Sequence, residues 1–125
     1  MGLLIDMIDV GQGDSFLFNI DGPNGEAFVL IDAGLPEAGG KVLAYVLNKY
    51  ARTGLDWVVA THIDNDHVGG LATVLKHASF KRNAQLILSV PPAIKNRWNP
   101  ARDTLVNISG LWGCPSRQSN VALRR

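Results

Sequence analysis

Cysteine is nearly absent. Cys114 is the only one in 125 residues, so no intrachain disulfide can form. No histidine lies near it in sequence, and it reads as a buried or tail thiol, not a nucleophile. Long hydrophobic runs are missing too. None approaches the roughly 20 apolar residues of a membrane span. The opening Met1-Gly2-Leu3-Leu4-Ile5-Asp6 has no basic region and enters a strand-like pattern at once, so no signal peptide is visible. Asp6 stands where a myristoylation signal needs Ser or Thr. A cytoplasmic site is the default expectation. Internal repeats are lacking. What remains is 46% hydrophobic, which reads as one globular domain with a real core and excludes a disordered chain.

Net charge is only +1, but the two signs are segregated. Through Leu75 there are three basic residues (Lys41, Lys49, Arg52) against ten acidic ones. From Lys76 onward nine basic residues face Asp103 alone. The C-terminal part is a candidate surface for anions, nucleic acid included. An ordinary solvated basic face is the alternative, and no aromatic-rich binding motif accompanies the charge.

The chemistry concentrates in Thr61-His62-Ile63-Asp64-Asn65-Asp66-His67-Val68-Gly69-Gly70. Two of the three histidines lie here, five positions apart, with two carboxylates between them. The apolar run Trp57-Val58-Val59-Ala60 leads in, and a helix-like run from Leu71 leads out. His62 and Asp64 point the same way on extended chain and can grip one ion. Asp66 and His67 converge only if the chain turns, which Gly69 and Gly70 permit. Four ligands in six residues suit two ions, zinc first, with manganese or iron as alternatives. An EF-hand fails, because Val68 and Leu75 would occupy coordinating positions. A polar turn capping a helix, with Asp66 as N-cap, is the plain alternative.

The rest of the pattern predicts α+β structure. Leu3–Val10, Ser15–Ile20 and Ala27–Asp32 read as strands of an antiparallel meander, with turns at Gly11–Asp14 and Asp21–Gly25. Gly11-Gln12-Gly13 is no dinucleotide fingerprint, since Phe16 takes the third glycine's place and a strand follows. Asp32 ends a continuous apolar strand and needs a partner if buried. Lys41–Arg52 is an amphipathic helix whose stripe Val42, Leu43, Val46, Leu47 and Tyr50 belongs in the core. Leu55–Ala60 is the central buried strand. A helix from about Val68 to His77 follows the ligand loop, its positive end suited to an anionic substrate. His77 is expected at the solvent-facing helix end. Gln85–Val90 reads as a further strand, and Pro91-Pro92 breaks the pattern. Asn107-Ile108-Ser109 is a glycosylation sequon by pattern only.

The His-x-Asp-x-Asp-His-x-Gly-Gly order resembles the signature of the metallo-β-lactamase superfamily, with Asp64 in place of its second histidine. That variant is similar to the branch of the ComEC competence proteins. Ile8-Asp9-Val10-Gly11-Gln12-Gly13-Asp14-Ser15 and Leu30-Ile31-Asp32-Ala33-Gly34 match the same branch, and the resemblance covers roughly Leu4 to Val90. It implies the N-terminal half of an αββα sandwich over residues 1–106, with 107–125 a tail expected to be disordered. It implies a metal-dependent hydrolase in which a metal-bound hydroxide attacks a phosphodiester of DNA or RNA, in DNA uptake or competence. His62, Asp64, Asp66 and His67 would be ligands for two zinc ions, or manganese, and Asp66 would also orient the water. Asp32 would support the metal loop. Gln12 and Asp14 would be neighbours or substrate contacts, and Lys95, Arg97 and Trp98 would shape a substrate groove.

One departure matters. The family completes its site with later His and acidic ligands, but no His follows His77 and no acid follows Asp103. Two ligands per ion make incomplete sites, and a half-sandwich leaves an apolar sheet face bare. A truncated piece or half of a split enzyme is expected, inactive alone. The alternative is a catalytically inactive binding or regulatory module, or a truncated remnant, that pairs with another chain. Either predicts a homo-oligomer or a second chain over the exposed sheet.

Overall fold

Alternating residues in the first part of the chain build three strands, β1 (Gly2–Met7), β2 (Phe16–Gly22) and β3 (Gly25–Ile31). The computed structural model describes residues 2–50, 53–61, 65–89 and 121–124. The expected meander is present: β1 pairs antiparallel with β2, and β2 with β3, closed by a turn at Gly22–Gly25. A 3-10 turn at Pro36–Ala38 then feeds α1 (Gly39–Tyr50), two residues earlier than the apolar stripe alone indicates. Strand β4 (Leu55–Ala60) has the expected limits and pairs parallel with β3.

The helix expected after the ligand loop is in two pieces, α2 (Asn65–Val68) and α3 (Leu71–His77), interrupted at the two glycines. Strand β5 (Phe80–Ser89) starts earlier than predicted and runs parallel to β4. Its polar beginning hid it, but Lys81 Nζ lies 2.7 Å from Asp56 Oδ2, which also accepts the Phe28 N–H at 2.8 Å. Part of the expected tail, Val121–Arg124, forms β6, parallel to β5. Strand order in space equals strand order in sequence.

The helices cover one face of this mixed sheet. Val42, Val46 and Tyr50 of α1 and Leu71, Val74 and Leu75 of α3 bury against Leu17, Phe28, Leu30, Val58, Ala84 and Leu86. Each large side chain here contributes about 2 kcal/mol by leaving water. Leu47, expected in that stripe, is instead 40% exposed, because the Val42–Val46–Tyr50 line centres the contact and leaves Leu47 on its flank. His77 is exposed at the end of α3, as expected.

Among the described residues no helix covers the opposite face. Residue pairing aligns Ile5, Phe18, Val29 and Trp57 in one row and Met7, Phe16, Ile31, Val59 and Ile87 in the next. Met7 is 77% exposed, Ile5 50% and Trp57 38%. This is one helix layer and one sheet of the sandwich, with the apolar surface of a half-sandwich open. No described helix is long and apolar enough to cross a membrane. Expectations for His62, Asp64, Lys95, Arg97, Trp98, the Asn107 sequon and Cys114 lie outside the described residues.

Candidate functional site

Three stretches meet where β3 and β4 end: Gly11–Ser15, Asp32–Gly34, and Thr61 together with residues 65–70. Asp32 is their hub. It is 2% exposed, and its φ of 59° makes it the only described non-glycine in the left-handed region. Asp tolerates that conformation better than most residues. The turn continues the β3 ladder for one bond, Asp32 N–H to the Val59 carbonyl at 2.9 Å, and then leaves it. Ala33 N–H donates to the His67 carbonyl at 2.8 Å, Gly34 N–H to the Asp14 carbonyl at 3.1 Å, and Gly70 N–H to the Gly34 carbonyl at 3.0 Å.

Two glycines make that contact possible for different reasons. Gly13 has a φ of 97°, and a Cβ there would lie 1.7 Å from the Asp66 carbonyl oxygen. Gly70 has an ordinary φ, but its Cβ would lie 2.1 Å from the Ala33 carbonyl oxygen. Backbone meets backbone in both places, so no side-chain adjustment relieves the overlap.

The Asp32 carboxylate has the partners its burial demands. Oδ1 accepts the Thr61 N–H at 2.9 Å, and Oδ2 accepts the Thr61 hydroxyl at 2.5 Å. His67 Nδ1 lies 3.1 Å from the same Oδ2. A carboxylate only accepts, so in the neutral ring Nδ1 carries the proton and Nε2 carries the lone pair. Nε2 lies 3.7 Å from Asp66 Oδ1, and Nδ1 lies 3.9 Å from Asp14 Oδ2. Three carboxylates thus surround one imidazole, whose side chain is 15% exposed.

Burial pulls the His67 pKa down, but the Asp32 hydrogen bond and the charges of Asp32, Asp66 and Asp14 outweigh it, leaving the pKa above its ordinary 6.5. The protonated pair therefore adds stability fully present below about pH 6.5, which is lost as pH rises through the raised value. A cation binding Nε2 must displace that proton. Its apparent affinity should climb about tenfold per pH unit below the raised pKa and level off above it. Calorimetric titration with Zn²⁺ from about pH 5 to about pH 8 measures this, and a flat profile would exclude His67 from the binding.

The structure brings Asp14, Asp32, Asp66 and His67 together. Gln12 is exposed on the same loop as Asp14, and its neighbours Gly11, Gly13 and Asp14, with Asp9 and Ser15, line a cleft of about 240 Å³. Among the described residues no three His, Cys, Asp or Glu side chains converge on one metal position. Asp66 and His67 offer the carboxylate oxygen and imidazole nitrogen that a divalent ion takes, and Asp32 holds the other ring nitrogen as a ligating histidine requires. As a donor pair they fit a metal, and as a shell they are partial. Thr61 and Ser15 stood inside the quoted motifs without a role. Their signal was a hydroxyl beside a strand end, Ser15 before β2 and Thr61 after β4, within reach of the Asp32 backbone carbonyl and carboxylate respectively.

The Metallo-beta-lactamase superfamily model matches residues 8–82. Among characterised proteins, the chain is 36% identical over 93 residues to ComE operon protein 3 of Bacillus subtilis (strain 168), covering 62% of this chain and 12% of that protein. It is 37% identical over 75 residues to Recombination protein 2 of Haemophilus influenzae (strain ATCC 51907 / DSM 11121 / KW20 / Rd), covering 58% of this chain and 9% of that protein. The chain spans about a tenth of the length of each. Loop geometry, layering and sequence agree: the chain belongs to the metallo-β-lactamase superfamily.

Proposed function

We propose that this chain carries the metal-binding loop of a metal-dependent hydrolase acting on phosphodiesters of nucleic acid. The observation that supports it most is the 3.1 Å contact of Asp32 with His67 Nδ1, the carboxylate–imidazole arrangement that orients a metal-ligating histidine. Asp66 and His67 would hold one edge of the site, with His62 and Asp64 completing the ligand set, and zinc or manganese is the expected ion. When bound, a divalent ion lowers the pKa of water and neutralises phosphate charge. The chain's own groups do the rest. Asp32 fixes the imidazole, Asp66 orients the water, and Asp14 borders the approach. The competence relatives and the basic residues from Lys76 onward support a nucleic-acid substrate.

The bare apolar face favours a second reading, a binding or regulatory module whose sheet is covered by a second copy or another chain. One preparation tests both. Elemental analysis of protein purified without chelator should find one to two ions per chain, lost in Asp66→Ala/His67→Ala. A version with a downstream half of the domain restored should then cleave DNA or RNA in a metal-dependent way. A folded, metal-free wild type that sediments as a dimer would overturn the hydrolase reading in favour of the module.

A further inference from the structure

The left-handed turn at Asp32 creates a demand that the carboxylate does not meet. With φ at 59° the Asp32 carbonyl rotates out of the β ladder, in a residue only 2% exposed. A buried carbonyl there needs a donor. It receives one from the Ser15 hydroxyl, whose Oγ lies 2.9 Å away. Ser15 is itself 1% exposed, and its backbone carbonyl is already taken by the Ile8 N–H at 2.9 Å. The hydroxyl thus joins the start of β2 to the end of β3, across 17 residues of sequence.

We propose that Ser15 is a positioning residue: its hydroxyl holds Asp32 in the left-handed conformation and, through Asp32, sets which ring nitrogen of His67 carries the proton. Without that donor, the carbonyl regains a partner only if the backbone turns toward the extended region. The same rotation draws the carboxylate away from Thr61 and His67. The role is geometric, since the Ser15 hydroxyl acts through the Asp32 backbone carbonyl. Its link to metal binding rests on the reading of His67 above, but its effect on the imidazole does not.

The test uses metal-free chain with ¹⁵N-labelled histidine at about pH 8.5, above the ordinary range for imidazole. His67 resonances are assigned with His67→Gln. Wild type should show the Nδ1–H tautomer. Ser15→Ala should show a tautomer mixture, and Ser15→Thr, which keeps the hydroxyl, should restore the wild-type pattern. Zn²⁺ affinity should fall about tenfold in Ser15→Ala and recover in Ser15→Thr. If Ser15→Ala does not fold, Ser15→Cys carries the comparison, with similar volume and a much weaker donor. A wild type with Nε2–H, or an unchanged tautomer in the folded Ser15→Ala or Ser15→Cys chain, overturns the proposal. Failure of wild type to bind Zn²⁺ overturns the metal reading alone, and the tautomer comparison still decides the role of Ser15.

Discussion

Gly13→Ala should unfold the loop cluster. The new Cβ falls 1.7 Å from the Asp66 carbonyl oxygen and 2.8 Å from its carbon, so the two backbones must separate. The φ of 97° adds the left-handed penalty, about 1 kcal/mol. Two control substitutions divide these effects. Gly11 has a φ of 72°, but a Cβ at that position would meet nothing within 4 Å, so Gly11→Ala bears the conformational cost only. Gly70→Ala has no conformational cost and bears the collision, at 2.1 Å from the Ala33 carbonyl oxygen. Collision should dominate. Gly13→Ala and Gly70→Ala should each lose about 3 kcal/mol or more, lowering Tm on the order of 10 °C, while Gly11→Ala loses about 1 kcal/mol. Calorimetric melting of the three variants checks the ranking. Equal losses at Gly11 and Gly13 would mean that strain, not close approach, is what the glycine provides.

Asp32→Asn should cost roughly 100-fold in Zn²⁺ affinity while leaving the chain folded. The amide has two orientations. With its oxygen at the Oδ2 position, its NH2 faces the Thr61 N–H, donor against donor. With its oxygen at the Oδ1 position it still accepts the Thr61 N–H, and its NH2 faces the Thr61 hydroxyl, which can accept, and His67 Nδ1. The second orientation wins, because a backbone N–H cannot become an acceptor. Nδ1 then loses its proton to Nε2, and the nitrogen needed by a cation is blocked. Stability should fall by only about 1–3 kcal/mol, because most of the hydrogen bonds are re-formed. Titration calorimetry with a melting curve separates the two effects. Unchanged Zn²⁺ affinity in a folded Asp32→Asn chain would remove His67 from the ligand set.

Much of this was legible in the residues. Leu55–Ala60 has the limits its apolar run dictates, because a strand buried in a parallel sheet needs no alternation. Asp32 declared itself as a carboxylate ending a buried strand that needed partners, and Thr61 and His67 are those partners. The errors have local causes. Helix α1 begins at glycines with no stripe to betray them. Strand β5 begins with Phe80, Lys81 and Arg82, and its two charges read as loop until Asp56 is seen beside Lys81. The break between α2 and α3 sits at Gly69-Gly70, where Gly70 lies against Ala33; the glycines were legible locally, the distant contact was not. Ser15 and Thr61 escaped notice because hydroxyls acquire roles only from what faces them.

The strand order carries one more consequence. Each described strand lies beside the described strand that precedes it, by hairpins as far as β3 and by helical crossovers from β3 to β4 and from β4 to β5. Among the described strands none must be inserted between two already paired. The sheet can therefore be laid down vectorially, each new edge templating the next strand as it leaves the ribosome. The Asp32 turn closes as soon as β4 delivers Thr61, so the loop cluster is assembled from a growing edge instead of being threaded into a finished sheet.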